Sequence, residues 1–379
     1  MKLALITRRY PPDIGGAEKV LSYLAPALAA EGADVTVLTA DAPGRAEREE
    51  IDVPAGRLTV IRLATSRARF VGTWLYMRNL GHWLSEHAID AAYVSMLKHD
   101  AYVTVEQGRR HGFPVVLRPE GAGATGDIAW QSWGRFGQTI ARRCREADAI
   151  VSISQAITHE LLAAGFDGER IQALPNGVPV PTTPWQPRPD WQSAPRARFV
   201  GRLAPEKGLD TLVDAWPSVR ATHPRATLTL IGEGPERAAI EGRIERLGLA
   251  GTVELAGASA NPRGQLLESD LFILPSREEG MSIALLEAMA LGIPLVASAI
   301  PGNQQLVQDQ VHGRLAPPDD PAALARAILD QWAGFDRAAR MGQAARRRVA
   351  KEFSIAAVAR KHLDLFQRLV DRSGKGRSG

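Results

Sequence analysis

One cysteine, Cys144, occurs in 379 residues. A lone thiol excludes an intrachain disulfide and suits a reducing compartment. Long apolar runs are missing too: no uninterrupted stretch reaches the ~18–20 residues that span a bilayer. The apolar run that opens the chain is too short for a signal peptide, so a cytoplasmic location is expected. There is no Asp-x-Asp to hold a divalent ion between phosphates. There is also no dense basic stripe or nucleic-acid module, which argues against a nucleic-acid partner. What is present is ordinary for a globular chain, with 45% hydrophobic and 23% charged residues, enough for a substantial core. At roughly 150 residues per domain, two or three domains are expected. A net charge of +4 fits anionic partners such as nucleotide phosphates or an anionic membrane face.

Apolar runs of strand length alternate with helical stretches. Strands are expected over 2–7, 35–39, 58–63, 91–95, 114–117 and 149–153, with helices over 17–30, 73–87 and 128–146. Proline then becomes dense between Pro175 and Pro195, which neither a helix nor a central strand tolerates. A second series follows, with strands over 198–200, 226–231, 252–255, 271–274 and 294–297, and closing helices over 322–332, 338–349 and 355–370. Such alternation predicts an α/β protein: two doubly wound parallel-sheet, Rossmann-like domains facing across a cleft. The expected boundaries are an N-terminal acceptor-side domain over 1–175, a Pro-rich linker over 176–195 and a C-terminal donor domain over 196–352. A helix over 353–379 would pack back on the N-terminal domain and end in a disordered basic tail. Ligands of such sheets sit at the carboxyl ends of strands, where motifs should be sought.

The most informative stretch runs from Glu279-Gly280-Met281-Ser282-Ile283 to Glu287-Ala288-Met289-Ala290. Glu279 stands before a helix and Glu287 about two turns inside it. That helix is apolar on nearly every side, so Glu287 is a buried carboxylate in need of a partner, and sugar hydroxyls are one. The amides at Met281, Ser282 and Ile283 offer donors to an anion. The plain alternative is a capping glutamate and a core ion pair. Gly201-Arg202-Leu203-Ala204-Pro205-Glu206-Lys207-Gly208 follows another strand. Arg202 and Lys207 there suit a diphosphate leaving group without a metal, or are solvated loop cations. Gly232-Glu233-Gly234-Pro235 and Gly15-Gly16-Ala17-Glu18 are glycine turns suited to phosphate or sugar approach, or plain strand–helix turns.

With Asn176-Gly177-Val178, these motifs occur in an order that resembles the retaining glycosyltransferases of family 4, from about residue 1 to about 372. That family has the two-Rossmann-domain GT-B architecture. The resemblance implies a hexosyltransferase that moves a sugar from a nucleoside-diphosphate-sugar donor to a glycan or lipid-linked hydroxyl acceptor. It implies retained anomeric configuration, no metal and no cofactor. Arg202 and Lys207 would bind the diphosphate, Glu287 the ribose, and Glu279 the transferred sugar with the Met281–Ile283 backbone. Gly15, Gly16, Gly232 and Gly280 would complete the donor site. An epimerase or phosphorylase on the same fold, a non-catalytic subunit and a dinucleotide-binding protein are the rival readings.

Where many relatives carry a histidine near the transferred sugar, this chain has Leu117-Arg118-Pro119-Glu120-Gly121, so Glu120 is expected in its place. Lys98, His99 and Asp100 cluster after the strand over 91–95, as an acceptor site or as loop residues with Asp100 capping the next helix. Gly121-Ala122-Gly123-Ala124-Thr125-Gly126 spells the dinucleotide fingerprint but does not lie at a first β–α turn. Arg142, Arg143 and Arg145 around Cys144 would lower its pKa, or Cys144 is an inert helix residue. Two groups mix aromatic and basic residues: Trp130, Trp133, Arg135, Phe136 and the arginines 142, 143 and 145 in one, Trp74, Tyr76, Arg78 and Trp83 in the other. They suggest peripheral docking on an anionic membrane, or core aromatics beside solvated arginines.

Overall fold

A computed structural model describes residues 1–11, 16–66, 68–121, 123, 126–259 and 261–375. The chain divides into two units, Met1–Gly177 with Ile355–Gly379, and Val178–Ser354.

The first unit is built on an eight-stranded sheet: β1 (Lys2–Ile6), β2 (Asp34–Ala40), β3 (Arg48–Ile51), β4 (Arg57–Leu63), β5 (Ala91–Ser95), β6 (Val115–Arg118), β7 (Ala149–Ser152) and β8 (Ile171–Ala173). Its order is β3-β4-β2-β1-β5-β6-β7-β8, parallel throughout except for β3 against β4. The central strands β5, β6 and β7 are buried along their whole length, as a sheet covered on both faces requires. β3, Arg-Glu-Glu-Ile, is a charged edge strand that periodicity does not reveal, a type that blunts edge pairing. The helix expected over 128–146 is two helices, Asp127–Trp133 and Gly137–Cys144. Between them Gly134 breaks the first, and Phe136 takes a left-handed φ of 61°. The terminal helix Ile355–Lys375 belongs to this unit and packs on the helix Gly16–Ala30. Helix therefore replaces the first part of the expected disordered tail; residues 376–379 lie outside the described ones.

The second unit holds a six-stranded, all-parallel sheet: β9 (Arg196–Val200), β10 (Thr227–Ile231), β11 (Val253–Gly257), β12 (Leu271–Leu274), β13 (Leu295–Ser298) and β14 (Arg314–Ala316). The order β11-β10-β9-β12-β13-β14 is that of a doubly wound nucleotide-binding fold, reversing between β9 and β12. Phe199, Trp216, Phe272, Leu286 and Met289 are fully buried in its core.

The division between the two units falls within the expected linker over 176–195, after Gly177, and from Val178 onward the proline-dense segment is part of the second unit. Trp185 is buried, its Nε1 donating to the Ser269 carbonyl at 2.7 Å and its amide to the Leu291 carbonyl at 2.8 Å. Arg188 forks onto the buried Asp270, at 3.2 and 2.7 Å. Proline stiffens an extended strap, and Trp185 and Arg188 fasten it.

Candidate functional site

At the reversal in the second sheet, two loops leave the carboxyl ends of β9 and β12. The first ends in a tight turn, Pro205–Lys207, closed by Gly208 at φ +61°. A Cβ on Gly208 would lie 2.3 Å from the Pro275 carbonyl oxygen, so glycine is what lets the loops meet. Lys207 Nζ donates to Glu279 Oε1 at 2.7 Å, and Ser276 Oγ donates to the same oxygen at 2.7 Å. Both side chains of the ion pair are largely buried, at 19% and 9% exposure. Among the described residues Oε2 has no hydrogen-bond partner, so the carboxylate has one oxygen anchored and one to offer. Arg202 is exposed, and among the described residues its side chain makes no ion pair or hydrogen bond.

The helix Ile283–Leu291 begins where this loop ends. Ser282 caps it, Oγ accepting from the Leu285 amide at 3.3 Å. That bond uses one first-turn donor and leaves the earlier positions, which a helix cannot satisfy internally, to other partners. Met281, Ser282 and Ile283 are buried, and Gly280 half-buried, beside Glu279. Glu287 is the lone ionisable residue of the helix and is buried. Gly232 has a different reason from the one expected. At φ +147° its missing Cβ makes room for the Gly201 carbonyl, so it lets β10's turn pack beneath the Arg202 loop.

In the first unit, Gly15 lies outside the described residues, and Gly16 opens the helix Gly16–Ala30. After β5, Met96 has a left-handed φ of 76° and its amide donates to the Arg118 carbonyl at 2.9 Å. Lys98 takes the N-cap position of the helix His99–His111, so Asp100 is not its cap. Lys98 Nζ lies 4.0 Å from Asp127 Oδ1 and 5.5 Å from the centre of the Trp130 ring, which meets the His99 ring edge-on in a T-shaped pair. Burial, then Arg8 and Lys98, lower the His99 pKa. Asp100 is buried against the Tyr76 hydroxyl. Burial pushes its carboxyl up to about 6, against the pull of Arg8, Lys98 and Tyr76. Arg8, which the sequence did not single out, stands over the Tyr76 ring at 4.4 Å. Its signal was available: it follows β1 as Arg202 follows β9.

Glu120 is held in an ion pair with Arg118. Its Oε1 accepts from Arg118 Nη1 at 2.6 Å and from Ser95 Oγ, and its amide donates to Asp127 Oδ2 at 2.7 Å. Arg118 is itself buried and donates from Nη2 to Asn176 Oδ1 at 2.7 Å. Burial acts to lower the Arg118 pKa, but Glu120, Tyr93 and Asp127 outweigh it and hold the cation above its usual value. The carboxylate expected in the histidine's place thus neutralises a buried arginine of its own unit. Cys144 is the inert helix residue: it is fully buried, and burial first, then Asp127, pushes its thiol up to about 12, against Gln131 and Arg145. The fingerprint over 121–126 follows β6 and lies partly outside the described residues; Gly123 donates its amide to Glu160 Oε1 at 2.7 Å.

Phe70, Trp74, Trp133 and Phe136 are exposed, and Arg135 lies between the Phe70 and Phe136 rings at 5.0 and 5.1 Å. Tyr76, counted with them in the sequence, is in the core. Among the described residues no helix is long and apolar enough to cross a membrane, and no three His, Cys, Asp or Glu side chains are grouped to hold a metal.

Two family models match: Glycosyltransferase Family 4 over residues 14–180 and Glycosyl transferases group 1 over 194–333. The chain is 27% identical to a glycogen synthase of Mycobacterium tuberculosis, over 95% of this chain and 92% of that one. It is also 27% identical to the GDP-mannose-dependent alpha-(1-6)-phosphatidylinositol monomannoside mannosyltransferase of Mycolicibacterium smegmatis, over 91% and 92%. Among solved structures it resembles a sucrose-phosphate synthase from Thermosynechococcus elongatus (TM-score 0.80, 23% identity, 98% and 99% of the two chains). HepE of Anabaena in complex with UDP and glucose is similar as well (TM-score 0.77, 19% identity, 97% and 99%). With the two models spanning most of the chain and both sheets in the order of a two-domain GT-B protein, the chain belongs to the family 4 glycosyltransferases.

Proposed function

We propose that the protein is a retaining, metal-independent glycosyltransferase whose second unit holds a nucleoside-diphosphate sugar against Lys207 and Glu279. The observation that carries this reading is the ion pair itself. A cation and a carboxylate meet at a strand-order reversal, with Glu279 Oε2 left for a ligand hydroxyl. Lys207 and Arg202 neutralise the diphosphate, and Glu279 fixes hydroxyls of the transferred sugar. Glu287 binds the ribose, and Gly280, Met281, Ser282 and Ile283 contribute backbone. In the reaction, the bond from the anomeric carbon to the phosphate oxygen breaks while the acceptor hydroxyl attacks from the same face. Its proton passes to the departing phosphate oxygen. The two cations act where charge develops, the largest lever available to an enzyme without covalent chemistry. Relatives that use GDP-mannose and a neighbour bound to UDP make UDP- and GDP-sugars the first donors to try.

Lys98, His99 and Asp100 of the first unit bind the acceptor, a glycan or lipid-linked hydroxyl. The lowered His99 pKa keeps its ring neutral at pH 7, able to take a hydroxyl hydrogen bond. The exposed aromatic residues with Arg135 and Arg78 support docking on an anionic membrane face, read by co-flotation with vesicles.

The test is turnover of UDP-glucose and GDP-mannose by the full chain with and without EDTA, with product configuration read by NMR. Glu279→Ala and Lys207→Ala each lower transfer by ~10²–10³-fold, as loss of a preorganised charge contact does, while the protein stays folded. Wild-type turnover in either variant, an inverted product, or dependence on a divalent ion would overturn the reading.

A further inference from the structure

Arg277 stands two residues before Glu279 and has no role above, yet every arm of its guanidinium is engaged. Nε donates to Asp319 Oδ1 at 2.6 Å and Nη1 to the Pro205 carbonyl at 2.7 Å. Nη2 donates to both oxygens of Asp210, at 2.9 and 2.8 Å. The Arg277 amide donates to the Glu206 carbonyl at 2.8 Å. One residue of the loop after β12 therefore grips the turn that carries Lys207 by its backbone. It also grips the first turn of the helix Leu209–Thr222 and the loop after β14. Asp319 reaches it from a left-handed backbone, φ 57°, a conformation that persists where surroundings hold it. A lysine, one point charge, cannot replace a planar fork that binds three groups in fixed directions.

We propose that Arg277 is a positioning residue that sets the spacing between Lys207 and Glu279, so that the phosphate cation and the sugar carboxylate fit one donor. The inference rests on the donor role proposed for that pair. It also has a consequence that a stabilising ion cluster lacks. A nucleoside diphosphate without its sugar meets Lys207 and, through its ribose, Glu287, but not Glu279, and is insensitive to the Lys207–Glu279 spacing. A sugar nucleotide spans both loops and is not.

The experiment compares wild type, Arg277→Ala, Arg277→Lys and Lys207→Ala as full chains. Binding of UDP and GDP is measured by calorimetry, and donor hydrolysis as release of UDP from UDP-glucose or GDP from GDP-mannose. In Arg277→Ala the diphosphate Kd stays within ~3-fold of wild type while donor kcat/KM falls ~100-fold, the scale of an ångström-sized misplacement. Arg277→Lys recovers ~10-fold of that at most, and the Arg277→Ala/Lys207→Ala double variant is no slower than Lys207→Ala alone, as residues acting as a unit behave. Equal losses in diphosphate binding and donor turnover, or wild-type turnover in Arg277→Ala, overturn the inference. Should Arg277→Ala fail to fold, Asp319→Ala removes one arm and must show the same split on a smaller scale. Wild-type turnover in Lys207→Ala sinks the parent reading instead, whatever Arg277 does.

Discussion

Lys207 and Glu279 are 72 residues apart in sequence and share a hydrogen bond at 2.7 Å. Each was legible because each follows a strand-length apolar run, and strands of a doubly wound sheet all point their carboxyl ends to one edge. Their supporting cast was not. Ser276 and Arg277 look like ordinary loop polar residues until the partners arrive from Pro205, Asp210 and Asp319, and no spacing rule pairs those positions. The Arg118–Glu120 pair had a signal that was passed over: Arg118 precedes Glu120 by two, so on an extended chain both side chains share a face. Asp100 yields a prediction at this scale. Its carboxyl is held up to about 6, above the unfolded value of 3.8, so folding favours the protonated form. Below pH 4 it costs nothing; as pH rises to 6 and beyond, the buried charge removes roughly 2–3 kcal/mol of stability. Asp100→Asn is free of this loss. The melting temperature of the variant, relative to wild type, therefore rises between pH 4.5 and 7.5; a difference constant with pH would contradict the assignment.

At the scale of elements, long apolar strands and the helix around Glu287 were readable from their apolar runs. The charged edge strand β3, the three-residue strands β8 and β14, and the short helix Pro262–Leu267 carry too few apolar positions to show a period. The proline-dense strap was read as a linker because proline rules report what a segment cannot be, and not what Trp185 touches. Splitting of the helix expected over 128–146 has a functional side. The break leaves Trp133 and Phe136 exposed, with Arg135 stacked between Phe136 and Phe70. Aromatic rings with an arginine suit the interface of an anionic bilayer. Wild type is expected to float with vesicles of phosphatidylglycerol, and the Trp133→Ser/Phe136→Ser double variant to stay behind at equal donor hydrolysis. Equal flotation of the two, or none by wild type, would contradict the docking.

At the scale of the molecule, the two sheets repeat one construction, and the β–α alternation announced it. Sheet order, by contrast, is not written locally. It follows from right-handed crossovers and from which strands are buried on both faces. Composition set bounds without choosing a ligand, and the motifs chose the second unit as the donor's. Hydrogen–deuterium exchange of the full chain, with and without UDP-glucose or GDP-mannose, tests that choice most directly. Slowed exchange on donor addition over 201–208 and 276–291, with 121–126 unchanged, is the expected result. Protection confined to 121–126, or none over 201–208 and 276–291 with a donor that the protein turns over, would contradict the account.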